Sequence, residues 1–177
     1  MTDNKEIWIK AGYEAFALSG ESALKVEPLA KKVGVSKSSF YHYFADLDVF
    51  MELLLHFHLQ QSKTIADKEK VVKTIDPELI YILVEHKIDM LFNRQLRFNQ
   101  QNKLYKETLN KSNQIIGNGF VIIWMNDLKL TLNQRQLESL FELALENFFL
   151  QINAENLNYD WLSEYFKNLK KIARNFE

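Results

Sequence analysis

The sequence predicts an all-α fold in two parts, a compact N-terminal unit of short helices and a larger helical body. Three observations carry that prediction. Apolar residues recur three or four apart along almost the whole chain, the spacing of a helix face rather than of a strand. Only 5 Gly and 2 Pro occur in 177 residues, too few to turn the many short strands of an all-β fold. Hydrophobic residues make up 47% and charged residues 25%, the balance of a chain that buries a core.

The elements follow in order. In "NKEIWIKAGYEAFALSG", Ile7, Ala11, Ala15 and Leu18 form one predicted face, with Trp8 and Phe16 beside them and Gly20 as terminator. "VEPLAKKV" carries Leu29, Ala30 and Val33 as a short apolar stripe. Pro28 suits its first turn, and Gly34 can take the left-handed conformation that ends it. After a turn, Phe40 and Phe44 lie four apart and should face inward together. The next helix places Phe50, Leu53, Leu54 and Phe57 on one side.

Asp76-Pro77-Glu78 reads as another helix start, followed by Ile80, Val84 and Leu91. The polar stretch "NRQLRFNQQNK" separates this from an amphipathic segment through Leu104 and Tyr105. "IIGNGFVIIWM" is awkward, because its two glycines each cost a helix about 1 kcal/mol. Two strongly amphipathic helices close the chain, with Asn133 and Asn158 as their expected N-caps. The first carries Leu137, Leu140, Phe141, Ala144, Leu145, Phe148, Phe149 and Ile152, and the second Trp161, Tyr165, Leu169, Ile172 and Phe176.

Several function classes lose support at once. There is no Cys, which removes disulfide scaffolds and cysteine metal sites and fits a reducing, cytoplasmic setting. "MTDNKEIWIK" is polar and mixed in sign, unlike a leader, and no apolar run approaches the roughly 18 residues of a membrane span. No phosphate loop, HExxH or nucleophile elbow is present, so neither an enzyme nor a cofactor is expected. His56 and His58 point apart on one helix, and Glu85 with Asp89 read as solvated helix carboxylates; no metal site is expected.

The positive indication is local. A helix from Val26 to Val33, a turn of about three residues containing Gly34, and a second short helix from Lys37 have the arithmetic of a helix-turn-helix. The net charge is only −1, yet Pro28 to Ala45 carries Lys31, Lys32, Lys37 and His42 and no acidic residue. In such a motif the start of the second helix enters the DNA major groove. Lys37 could reach a guanine edge or a phosphate, small Ser38 and Ser39 allow close approach, and Tyr41 and His42 could meet a phosphate or a thymine methyl.

"VEPLAKKVGVSKSSFYHYF" resembles the helix-turn-helix signature of the tetracycline-repressor (TetR) family of bacterial transcriptional regulators. "LA", "GVSK", "SFY" and the closing "YF" stand at the family's offsets, and the likeness covers about residues 5–60. It implies DNA contacts from Lys37, Ser38, Ser39, Tyr41, His42 and Tyr43, with Phe40 in the core. The chain departs from the pattern twice. Leu47, between Asp46 and Asp48, stands where the family has a basic residue, and Lys25-Val26 replace the usual Ser or Thr opening the second helix.

The expected organisation is a DNA-binding domain at 1–47 and an effector-binding and dimerisation domain at 48–177. The last two helices carry apolar residues on more than one face, which fits a four-helix dimer bundle. Its expected interface is Leu137, Phe141, Leu145, Phe148, Trp161, Tyr165, Leu169 and Ile172. The resemblance implies the same dimer and a small-molecule effector held by the middle segment, for which Phe92, Phe98, Tyr105, Phe120 and Trp124 are the candidate lining. The expected function is a ligand-responsive repressor binding a near-palindromic double-stranded operator. The alternative is a dimeric helical ligand- or protein-binding module without strong DNA binding.

Overall fold

The structure, a computed structural model, describes residues 4–128 and 133–174, except the side chains at 118, 120, 128 and 134. Among the described residues the regular elements are helices, and the all-α expectation holds. In chain order they are α1 (Asn4–Ser19), α2 (Val26–Val33), α3 (Lys37–Tyr43), α4 (Leu47–Glu69) and α5 (Ile80–Glu85). They continue with α6 (Lys87–Phe98), α7 (Lys103–Leu128), α8 (Gln134–Gln151) and α9 (Tyr159–Arg174).

These elements gather into two compact units, Met1–Gln61 with Ile88–Lys111, and Ser62–Lys87 with Ser112–Glu177. Helix α4 begins at Leu47, and in the first unit α6 packs against α1. Phe92 stacks on Tyr13 at 4.2 Å between ring centroids and meets Phe16 at 4.6 Å, while Tyr105 meets Phe16 edge-on at 5.7 Å.

In the first unit the buried face of α1 is Trp8, Ala11, Gly12, Tyr13, Phe16 and Ala17. It is rotated from the face expected around Ile7, Ala15 and Leu18, and Leu18 is exposed. Large rings decide the rotation: full burial of an aromatic side chain is worth about 1.5–3 kcal/mol, more than an alanine face can offer. Gly12 is the point of closest approach. A Cβ there would overlap the Phe50 ring, so the absence of a side chain lets α4 seat that ring on α1.

A polar network is buried in the same unit. The Tyr13 hydroxyl donates to Asp89 at 2.7 Å and lies 2.8 Å from Nδ1 of His58. With its one proton committed to Asp89, the phenol oxygen accepts from His58 Nδ1–H. Burial lowers the His58 pKa to about 4, against a smaller opposing pull from Asp89. Asp89 is therefore no solvated carboxylate. Glu85 is exposed and pairs with Lys68 at 2.6 Å. A break at His86, where φ is −96° and ψ 27°, ends α5 and removes the i,i+4 relation assumed between them.

In the second unit α7 continues straight through Gly117 and Gly119. Gly119 has a packing reason, since a Cβ there would come within 3.0 Å of the Glu69 carboxylate. Glu69 is buried with neither carboxylate oxygen hydrogen-bonded among the described residues, and burial pushes its pKa up to about 8. The expected helix start at Asp76-Pro77-Glu78 forms: Asp76 is extended, and a wider helical turn over Ile75–Leu79 leads directly into α5 at Ile80. Glu78 accepts the backbone N–H groups of Lys73 (2.7 Å) and Thr74 (3.1 Å). Asp76 accepts the hydroxyls of Ser163 and Tyr159, both at 2.6 Å, which hold its carboxyl below the usual range. Both predicted N-caps form. Asn133 makes a reciprocal capping box with Gln136, and Asn158 accepts the Trp161 N–H at 3.0 Å.

Candidate nucleic-acid interface

The helix-turn-helix is built by local chemistry on either side of Gly34. Leu29 and Ala30 anchor α2 in the core, and the helix ends where Gly34 adopts φ 74°, ψ 27°. Its N–H and that of Val35 both return to the Ala30 carbonyl, at 3.0 and 3.1 Å. A Cβ at Gly34 would meet nothing within 4 Å, so the left-handed backbone alone asks for glycine here. Three residues later α3 begins.

Helix α3 is pinned by its rings. Phe40 is 0% exposed and meets Trp8 at 5.3 Å, Phe44 at 4.9 Å and Phe50 at 5.2 Å, so α1, α3 and α4 share one aromatic cluster. With that face inward, Lys37, Ser38, Tyr41 and His42 are exposed, Tyr41 at 61%. Tyr43 and Ser39 are half-buried. Ser39 accepts a long 3.4 Å bond from Nε1 of Trp8, while Ser38 shares a 2.8 Å bond with Ser36. The six sequence-predicted residues thus sit on one short helix, four fully presented and two at its margin.

The basic patch is opposed by carboxylates from neighbouring helices. Lys37 Nζ lies 2.7 Å from Oε2 of Glu27 on α2, and Lys32 Nζ lies 2.7 Å from Oε2 of Glu14 on α1. The Lys37 contact holds the Glu27 carboxyl below its usual range. Both departures from the family pattern have visible consequences. Lys25 provides no side-chain cap for α2. Asp46 accepts the Val49 N–H at 2.8 Å, closing the start of α4 with a carboxylate. Leu47 and Val49 are left exposed beside it.

The other predicted site residues fall in both units. Phe92, Phe98 and Tyr105 belong to the first unit and Trp124 to the second. Phe92, Tyr105 and Trp124 are fully packed, and Phe98 is exposed with the Arg94 guanidinium 4.4 Å over its ring. The Phe120 side chain lies outside the described residues. On α8 and α9, Leu137, Phe141, Leu145, Trp161, Tyr165 and Leu169 are half-buried, Phe148 is buried and Ile172 is exposed. Tyr165 stacks on Trp161 at 5.2 Å and donates to the Ala144 carbonyl at 3.0 Å.

Sequence reasoning did not single out Leu143 and Leu150, exposed at 65% and 62%, nor a shallow groove of about 210 Å³ lined partly by Asn147, Gln151, Trp161 and Asn168. An apolar residue falling outside the main stripe was the available signal for the two leucines. No helix among the described residues is long and apolar enough to cross a membrane, and none of their His, Asp or Glu residues form a metal-holding cluster.

Comparison with known proteins agrees with this geometry. Residues 9–48, from α1 to the start of α4, match the model of the bacterial regulatory proteins of the tetR family. A crystal structure from Rhodococcus sp., of a protein assigned to the TetR-family transcriptional regulators, has a similar fold. It aligns with a TM-score of 0.55 at 17% identity, over 98% of this chain and 100% of its own. No curated protein sequence matches the chain.

Proposed function

We propose, from the match of residues 9–48 to the tetR-family model, that the chain is a ligand-responsive repressor of that family binding a near-palindromic DNA operator as a homodimer. The observation that carries this reading is the division of α3. Phe40 and Phe44 are buried, and Lys37, Ser38, Tyr41 and His42 face out with donors suited to phosphates and base edges. Residues 1–47 would read DNA and residues 48–177 would dimerise and receive a small molecule, in the cytoplasm.

The dimer is supported by Leu143, Leu150 and Ile172, apolar side chains that water covers poorly. Two copies would present two recognition helices to successive turns of the duplex. A small-molecule effector that lowers operator affinity a hundredfold needs about 2.7 kcal/mol of differential binding between the two states.

The test is selection of a bound sequence from random duplexes, followed by titration at several salt concentrations. Affinity should fall steeply with salt, and Lys37→Ala should weaken operator binding about tenfold with a salt slope shallower by about one. An unchanged affinity for Lys37→Ala removes that residue from the interface. A second reading, a helical binding module without DNA affinity, draws on the ion pairs at Lys32 and Lys37. Complete absence of retention on random duplex at low salt would favour it.

A further inference from the structure

We propose that Glu27 is an internal competitor for Lys37, an electrostatic mask that must open before α3 can engage DNA. The inference rests on the DNA-binding reading and adds a residue that sets its strength. Lys37 is the only lysine on α3, and its ammonium lies 2.7 Å from a Glu27 carboxylate oxygen. Both side chains are largely exposed, Lys37 at 54% and Glu27 at 77%, so the pair sits where an incoming phosphate or guanine edge would meet it. A carboxylate and a phosphate oxygen offer an ammonium the same kind of acceptor, so the two compete for one charge. The Lys32–Glu14 pair, also 2.7 Å, repeats the arrangement one helix away. Two of the three lysines between Pro28 and Ala45 are therefore neutralised from outside that stretch.

The pair is not a stability device. Solvent-exposed ion pairs contribute little to folding, and this one joins two helices already fixed by Leu29, Ala30 and Phe40. Its larger effect falls on binding. In the free protein Glu27 holds the charge that a phosphate would otherwise take. In a complex the released carboxylate stands near the DNA backbone and recruits a cation, offsetting part of the counterion release that drives association. The mask would thus lower affinity most for random sequence, where phosphate contacts supply nearly all of the attraction.

A double-mutant cycle on the full-length chain decides this, with Glu27→Gln, Lys37→Met and the combination. Fluorescence anisotropy would be read on a random duplex and on the selected operator across a salt series. Glu27→Gln should bind random duplex about three- to tenfold more tightly, with a steeper salt dependence. In the Lys37→Met background the same change should do little. An equal gain in both backgrounds would mean general repulsion rather than competition, and a loss of affinity would mean Glu27 itself contacts DNA. Either overturns the proposal while leaving the DNA-binding function standing. If no variant binds any duplex at low salt, the DNA-binding reading fails and the mask falls with it. NMR titration of the free protein supplies a separate check. The Glu27 carboxyl should titrate below its ordinary range and return toward it in Lys37→Met. An ordinary value in the unmodified chain would show that the pair does not persist.

Discussion

Helix α3 leaves Lys37, Ser38, Tyr41 and His42 uncovered, whereas α8 and α9 leave Leu143, Leu150 and Ile172. The two exposures have different thermodynamic standing. A polar face is well solvated when nothing is bound, so it can meet and leave a partner without a large change in the stability of the free protein. An apolar face costs about 25 cal/mol for each Å² kept in water, so it favours lasting cover. The first surface fits an intermittent, salt-sensitive partner and the second a permanent one. Burial shows a parallel contrast. The first unit satisfies Asp89 with a tyrosine hydroxyl, while the second keeps the Glu69 carboxyl without a hydrogen bond among the described residues.

The sharpest way to separate the two regions is to dismantle one. Phe40→Ala should cost about 3–5 kcal/mol, because it empties the centre of the aromatic cluster joining α1, α3 and α4. Denaturant unfolding would read the loss, and DNA binding should go with it. If the mass by light scattering stays dimeric, the α8–α9 surface acts independently of α3.

The opposite intervention is Leu143→Glu with Ile172→Glu. Both side chains are exposed, so helicity by circular dichroism should persist while sedimentation shows dimer association at least a hundredfold weaker, or about 2.7 kcal/mol. An unchanged sedimenting mass would show that these faces do not join two copies.

The smallest effect concerns the buried carboxyl. The Glu69 pKa is raised from its ordinary value of 4.5 to about 8, so its favourable contribution is full at low pH and is lost as pH rises through that interval. Glu69→Gln should remove this loss and gain about 1–3 kcal/mol at pH 9 in an unfolding series. His58 acts in the other direction. Its pKa falls from 6.5 to about 4, and its contribution is lost as pH drops through that range. A variant with the same alkaline loss as the unmodified chain would show that Glu69 is not its source.

How much of this was legible in sequence depended on distance along the chain. The turn at Gly34, the bounds of α2 and α3, and the inward pair Phe40 and Phe44 were readable, because capping and helical spacing act within a few residues. The buried Tyr13–His58–Asp89 network was not, since its members stand 45 and 76 positions apart and each resembles a surface residue alone. Which carboxylate meets which lysine was not readable for the same reason: Glu14 and Glu27, the partners of Lys32 and Lys37, belong to neighbouring helices. The α1 face was read a few residues out of phase because periodicity weighs alanine and leucine alike, whereas packing selected Trp8 and Phe16. The unbroken α7 was obscured by two glycines, one of which accommodates Glu69 from the side.

The contact between Gly12 and Phe50 reaches beyond the stability of one molecule. Any side chain at position 12 collides with the ring unless position 50 has first become smaller, and a smaller residue at 50 opens a void unless position 12 then fills it. Neither position can drift alone without loss. Among descendants of this sequence the two should vary as a compensated pair, inherited together like a lock recut with its key.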